Sequence, residues 1–501
     1  MNQAGTPWMD GVPTVSQCPI PAGQNFTYRF RADKYGSSWY HAHYSAQYTA
    51  GVLGPMVIYG PVDGQDFDVD LGPVMLIEWY HESYENLVSD VMSPTNLSRP
   101  HADSNLIQGK GYYPCANVTD GAACGNAGLA EFQFTSGKKH KLRLINAGGE
   151  LFTTFSIDEH TMTIVANDFV PVEPYETNYV TLGVGQRTDI IVEGTGDPGE
   201  SYWIRSFNGI CGDPRTNIFD EDGRAVIFYE NANTTVLPTS TGYLTPNNTA
   251  CRNDGLELTT PIYQIAAVEP DHTFIVNMTH GNNATNTTFW FMNGVAYEGD
   301  YNAPVLLNAT SGIEQYPAQR NVVDLGSYHT VRLIFYNTFL SGHPLHIHGH
   351  DFQVLAEGYG VWDGIITNPS NPQRRDVQQN GGAVPTGPNS YNDYYTVFQW
   401  TQDNPGVWPF HCHIAWHLSA GMNILLGERL DEVAEMVPPQ SVTDNCNAWA
   451  AYTSKNMVDQ VDDGMRKRNK VERAIDDAVF QRKRESVVRR KTSARPIRYS
   501  R

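Results

Sequence analysis

Apolar and polar residues alternate with a period of two along much of the chain, which predicts strands. In the first part the strand-like stretches are Trp8-Met-Asp10-Gly, Asn25-Phe-Thr-Tyr-Arg-Phe-Arg, Ser38-Trp-Tyr-His41-Ala-His43-Tyr and Gly51-Val-Leu-Gly-Pro-Met-Val-Ile-Tyr. Pro73-Val-Met-Leu-Ile-Glu-Trp-Tyr opens a second β-rich unit, which continues through Lys139–Asn146 and Thr161–Ala166 to Ala225-Val-Ile-Phe-Tyr-Glu. Residues 233–260 are rich in Asn, Thr, Pro and Gly and predict an exposed linker. The pattern therefore divides the chain into 1–62, 63–232, the linker 233–260, a third unit 261–446, and a C-terminal segment 447–501. No run of about 18 apolar residues occurs, so no membrane-crossing helix is expected.

Composition agrees with β-rich domains joined by turns: charged residues make up 18%, aromatics 11%, and Gly and Pro number 44 and 30. The 501 residues suffice for several cores. The net charge of −20 is uneven. Residues 466–501 hold 14 Lys/Arg against 4 Asp/Glu, a net of +10, so residues 1–465 carry −30. That acidic body argues against nucleic acid as a partner. Nine Asn-x-Ser/Thr sites, at Asn25, Asn96, Asn117, Asn233, Asn247, Asn277, Asn283, Asn286 and Asn308, suggest a secreted glycoprotein. The start of the chain shows no signal peptide.

The densest chemistry lies at 408–422, where His411, Cys412, His413 and His417 fall within seven residues and Met422 follows. On a strand His411 and His413 face one way and Cys412 the other. One short strand would then touch two metal centres. A cysteine, a histidine five residues on and a methionine ten residues on suit a copper electron-transfer site with a weak axial ligand. Two further His-x-His pairs, His41/His43 and His346/His348, repeat the single-face logic, and Pro344 turns His343 in a different direction. His350 is expected to be structural or to support a ligand. His81, His101, His140 and His160 lie singly and are expected to be surface or hydrogen-bonded residues in a structural middle unit.

His41-Ala-His43-Tyr-Ser-Ala-Gln, His343-Pro-Leu-His346-Ile-His348-Gly-His-Asp and His411-Cys412-His413-Ile-Ala-Trp-His417 resemble three of the four copper motifs of the multicopper oxidases, most closely the ascomycete-type laccases. The resemblance covers residues 8–465. It implies an all-β protein of three cupredoxin-like Greek-key β-barrel domains, the first incomplete. It also implies a blue copper on His343, Cys412 and His417 with Met422 axial, and a methionine there should lower the potential. For the trinuclear cluster it implies His346 on the type 2 copper, with His41 and His413, and His43, His348 and His411, on the two type 3 coppers.

The family's first motif, His-Trp-His-Gly, is missing, and by the resemblance it would fall just upstream of Met1. Eight of the family's ten histidine ligands are therefore expected in this chain, which is read as starting at an internal methionine. A truncated copper-binding paralogue without oxygen chemistry is the alternative.

Two acids take roles by the resemblance. Asp10 would help supply protons to the oxygen-reducing cluster, with a turn-forming Asp beside Gly11 as the plain alternative. Asp168 would accept the phenolic proton at the substrate pocket, against an ordinary loop acid. Setting Cys412 aside leaves six of the seven cysteines, enough for three disulfides in an oxidising compartment. The resemblance pairs Cys18 with Cys446, and Cys211 with Cys251 and Cys115 with Cys124 are reasonable further pairs. Asp462-Asp463-Gly464-Met465 before Arg466-Lys467-Arg468 is similar to the family's C-terminal cleavage signal, so residues 466–501 are expected to be removed. A solvated amphipathic helix is the alternative for that tail.

The expected function is one-electron oxidation of phenols or aromatic amines coupled to reduction of oxygen to water, by a secreted, N-glycosylated, monomeric enzyme. Ferroxidase, bilirubin oxidase and ascorbate oxidase share the copper motifs and remain open at this point.

Overall fold

The computed structural model describes residues 2–61, 65–93, 100–118, 123–125, 127–209, 222–243, 251–282, 287–387, 390–456 and 461–462. Cys211, Met465 and the basic tail lie outside the described residues, as do the pairing and cleavage expected there.

The first unit contributes one two-stranded sheet, Gly36–His41 antiparallel to Leu53–Ile58, with His41 opposite Leu53. Two of its expected strands are not strands. Pro7–Asp10 is a single 3-10 turn, because Pro7 presets the first helical φ and Gly11 closes the turn at φ 79°. Residues 25–31 alternate in sequence but form no ladder among the described residues. Alternation sets which side chains share a face, whereas a strand also needs a neighbour for its N–H and C=O groups.

The second unit pairs a six-stranded sheet, centred on Val69–Trp79, Lys139–Asn146 and Arg187–Glu193, with a five-stranded one. One apolar core lies between them, holding Val74, Leu144, Ile190, Phe155, Ile204 and Ile227. The third unit repeats the plan. Its six-stranded sheet packs on a five-stranded sheet ordered Val322–Asp324, Asn423–Glu428, Gly406–Cys412, His343–Ile347 and Val377–Asn380. Strands far apart in sequence lie side by side, and parallel neighbours such as His272–Asn282 with Thr330–Asn337 occur in both units. The architecture is thus all-β and of cupredoxin type. In the second and third units no ladder joins the two stacked sheets among the described residues, an arrangement consistent with the Greek-key cupredoxin domains expected.

Most residues of the linker from 233 to 243 are exposed, whereas its second half is partly buried. Cys251, Leu256 and Thr259 are 1%, 4% and 3% exposed. Asn253 bonds Gln186 of the second unit and receives the backbone N–H of Gln379 of the third, so polar side chains here serve as interdomain ties. A disulfide between Cys18 and Cys446 holds the first unit to the helix Gln440–Thr453, and Cys115 bonds Cys124. Cys251 is also disulfide-bonded.

The site-bearing sheet is shaped by one tight approach. Gly349, at φ +78°, lies under the Trp408 indole, and a Cβ there would come within 2.4 Å of the ring. Trp408 is buried and donates its indole N–H to Asn404 O at 2.8 Å, so it cannot give way freely. Gly349→Ala is expected to cost the copper-free protein about 1–3 kcal/mol or more, since a left-handed φ is added to a clash. Denaturant unfolding measures it, and an unchanged midpoint would refute the argument.

Candidate metal centres

The strand Gly406–Cys412 is buried along its whole length. It pairs antiparallel with His343–Ile347 so that His346 stands opposite His411 and Leu345 opposite Cys412. Directly opposed residues share a face, so the two imidazoles project together and the thiol projects to the other side. Past Cys412 the chain turns into the short helix Ala415–Ser419, which carries His417. Gly421, at φ +96°, then reverses it against Trp290 and Tyr297. The return puts Met422 beside the cysteine: Cys412 N–H donates to Met422 O at 3.2 Å, and Met422 N–H to His417 O at 3.0 Å.

On the thiol side, Cys412 Sγ lies 3.6 Å from His343 Nδ1 and 3.5 Å from His417 Nδ1, and the two nitrogens are 3.1 Å apart. Three ligand atoms at these separations surround one cation at ordinary bond lengths of about 2 Å. Their identity, two imidazoles and a thiol with a buried methionine alongside, is the set that favours copper. Burial pushes the Cys412 thiol well above its ordinary range, so it keeps its proton until a metal displaces it. Trp290 packs its ring 4.8 Å from that of His343 and 4.4 Å from that of His417, a contact that the sequence did not signal.

On the other side six histidines converge. His348 Nε2 and His411 Nε2 are 3.2 Å apart, and His43, His348 and His411 present ligand atoms within 4.8 Å of one another. The rings of His41 and His413 are 5.2 Å apart, and His346 lies 4.8 Å from His348 and 5.6 Å from His413. Four of the six donate Nδ1–H outward: His41 to Ala42 O, His346 to Asp376 O, His348 to Asp10 Oδ2 and His411 to Cys412 O. Each bond leaves the Nε2 lone pair for a metal. His43 Nε2 and His413 Nδ1 are buried with no hydrogen-bond partner among the described residues. Such orphaned nitrogens are costly unless a cation takes them. Burial and the neighbouring imidazoles hold His43, His346 and His413 well below the usual range, and burial holds His411 at about 3. The donor set fits copper on both faces.

A cavity of about 370 Å³ adjoins this cluster, walled by His41, His43, His346, His348, Asp10 and Arg187 among others. Asp10 lines this cavity and accepts from His348 Nδ1 at 2.8 Å. Asp168 does not match its expected place. It is 2% exposed, it sits at φ +54°, and its carboxylate accepts from Arg375, from Arg187 N–H and from the N–H groups of Asp376 and Val377. Two guanidinium groups and three backbone donors leave no lone pair for a phenolic proton. His350 is a buried partner of Glu428 at 2.7 Å, a structural role. His140 accepts from Thr135 N–H, and His160 bonds Asp158 O and Tyr229, as isolated histidines were expected to do.

The middle unit is more than a spacer. Gly149 O receives Ala415 N–H at 2.9 Å, and Tyr48 of the first unit donates to Gly148 O and His413 O. Glu78 holds that loop by accepting Glu150 and Leu151 N–H at 2.6 and 2.9 Å. Gly185 lies against His413, where a Cβ would come within 2.5 Å of the ring. No local motif marks these residues in the sequence, because each acts on a segment at least 72 positions away.

Family models described as multicopper oxidase match residues 1–63, 70–231 and 267–430. Laccase-2 of Botryotinia fuckeliana is 34% identical over 477 residues, 93% of this chain and 78% of that protein. Dihydrogeodin oxidase of Aspergillus terreus is 33% identical over 482 residues, 89% and 76% of the two chains. The crystal structure of the laccase from Botrytis aclada aligns with a TM-score of 0.83 at 31% identity, covering 93% of this chain and 83% of that one.

The buried imidazoles make stability pH-dependent. Folded His411 stays neutral down to about 3, whereas the unfolded side chain protonates near 6.5. The unfolded state therefore binds the extra proton, and the copper-free protein is expected to lose stability as pH falls from about 6.5 towards about 3. Denaturant unfolding across that window, with a shallower slope in His411→Gln, is the check. Equal slopes in the two proteins would count against it.

Proposed function

This chain belongs to the multicopper oxidase family, and from that premise we propose that its laccase-type activity takes single electrons from phenols or aromatic amines and reduces dioxygen to water. The observation that carries this reading is the continuity of one strand between two donor sets. Cys412 joins the His343 and His417 group, and its peptide neighbours His411 and His413 join the other. Copper at the two sets supplies one-electron acceptance at the cysteine and multielectron reduction of oxygen at the histidines.

We assign the blue site to His343, Cys412, His417 and Met422, and the cluster to His346, to His41 with His413, and to His43, His348 and His411. The chain's own part is to bind, orient and exclude water. Cys412 and its ligand partners are buried, so the thiolate would be shielded from water and from exchange with disulfides. The path to the cluster is short and covalent, two peptide units from Cys412 at most, and it is fixed by His413 N–H donating to Pro344 O at 2.7 Å. Asp10 accepts the Nδ1 proton of His348 at 2.8 Å from the cavity wall. That placement supports two roles for Asp10, fixing the tautomer of His348 and holding a proton beside the site that consumes protons.

Extracellular location is supported by the two described disulfides and by exposed sequon asparagines at Asn25, Asn233 and Asn277. No described helix is long and apolar enough to cross a membrane.

Copper-loaded protein is expected to show intense thiolate absorption and to consume oxygen with a methoxyphenol, both lost in Cys412→Ser. Absorption without oxygen uptake would reduce the chain as it stands to copper binding. Met422→Leu is expected to raise the potential of the blue site, because a thioether donor would stabilise the oxidised metal and an alkyl group would not. An unchanged value in a redox titration would remove Met422 from the ligand set.

A further inference from the structure

Asp168 belongs to a closed set of two carboxylates and two guanidinium groups, all at most 5% exposed. Its Oδ2 accepts Arg375 Nε at 3.1 Å, Asp376 N at 3.2 Å and Val377 N at 3.3 Å. Its Oδ1 accepts Arg187 N at 2.9 Å and Arg375 Nη2 at 3.2 Å. Arg187 in turn forks onto Asp376, with Nη1 to Oδ1 at 2.5 Å and Nη2 to Oδ2 at 2.7 Å. It also donates Nε–H to Ser37 O at 3.1 Å, tying in the first unit. Asp168 and Arg187 come from the middle unit, Arg375–Val377 from the third.

The atom held at the centre of this arrangement is the carbonyl oxygen of Asp376. It accepts His346 Nδ1–H at 2.6 Å, while Val377 stands opposite His346 in the sheet. A carbonyl that moves cannot keep an imidazole in one tautomer and one orientation. Asp376 is fixed on its side chain by Arg187 and on its N–H by Asp168, so the carbonyl between them has little freedom. We propose that Asp168 and Arg187 are positioning residues for the histidine cluster. They clamp Arg375–Val377 from the neighbouring unit and thereby aim His346 Nε2 at its metal. This rests on the assignment of His346 as a copper ligand.

The plain alternative is that the four charges only glue two units together, as buried ion sets often do. The two roles differ in what fails first. Glue lost from the interface weakens both metal sites alike, whereas a lost clamp weakens the one that His346 serves. Removal of such a supporting partner typically lowers metal affinity about 10–100-fold.

The test uses the full chain loaded with copper, comparing wild type, His346→Ala, Asp168→Asn and Asp376→Asn. Electron paramagnetic resonance and copper titration report non-blue copper, and thiolate absorption at Cys412 reports both the blue site and correct folding. Asp168→Asn and Asp376→Asn are expected to bind non-blue copper about 10–100-fold more weakly, with blue absorption retained. Anaerobic bleaching of the blue colour by a methoxyphenol should keep its wild-type rate and pH profile in Asp168→Asn. Slower bleaching with a shifted profile and full copper would return Asp168 to phenol deprotonation and overturn the clamp. Wild-type non-blue affinity in both aspartate variants, while His346→Ala loses it, also overturns it. Should Asp168→Asn fail to fold, Asp376→Asn decides, and equal loss of both kinds of copper there marks glue. A His346→Ala protein with unchanged non-blue copper sinks the ligand assignment, and the clamp with it.

Discussion

The antiparallel pairing of Gly406–Cys412 with His343–Ile347 is the constraint on which the metal chemistry depends. It puts His346 across from His411 and sends Cys412 to the opposite face. A slip of one residue would exchange those faces, leaving the thiol among the histidines and breaking both donor sets. The register is strongly specified because every residue from Gly406 to Cys412 is buried, so no alternative pairing can hide the wrong side chains in solvent. Gly349 under Trp408 and Gly421 behind the helix of His417 then bring chain segments closer than a side chain would permit.

Burial sets the electrostatics of both centres. Imidazoles removed from water resist protonation, and a buried thiol resists losing its proton. His43, His346, His411 and His413 are therefore neutral, ready-made ligands, whereas Cys412 must exchange its proton for a metal. Their outer nitrogens are tied mainly to backbone carbonyls, with Asp10 the one carboxylate on the described set. Placing fixed dipoles rather than charges around the cluster leaves the metals as its dominant charges. The exception is the neutral quartet of Asp168, Arg187, Arg375 and Asp376, where full charges are buried but mutually paired.

The middle unit acts as a frame. It holds no metal-ligand cluster among the described residues. Yet its loop at Gly148–Leu151 seats the segment from His413 to Trp416, its Gly185 backs His413, and its Arg187 faces the cavity. Its isolated histidines are consistent with a unit whose contribution lies in backbone groups and paired charges.

Much of the site was legible in the sequence, because metal ligation demands particular residue types at short spacings. His-x-His pairs, the His-Cys-His run and the trailing His417 and Met422 carry that signature within single strands and turns. The all-β class was legible for a similar reason, since period-two alternation follows from the pleat. The strand expected at residues 25–31 shows the limit of that signal: alternation says which faces side chains take, but a ladder needs a partner. Asp168 shows a second limit. An acid in a loop-like stretch looks the same whether it meets a substrate or two arginines, and the arginine that decides the matter, Arg375, lies 207 positions away. The second half of the linker, around Asn253, departs from the exposed reading for a like reason, because Asn and Thr that suit solvent also suit a polar interdomain seam. Local covalent spacing thus determined which residues could hold metal, whereas the packing of three units decided how each is oriented and what holds it there. Only folding creates the contacts between distant polar groups on which that orientation rests.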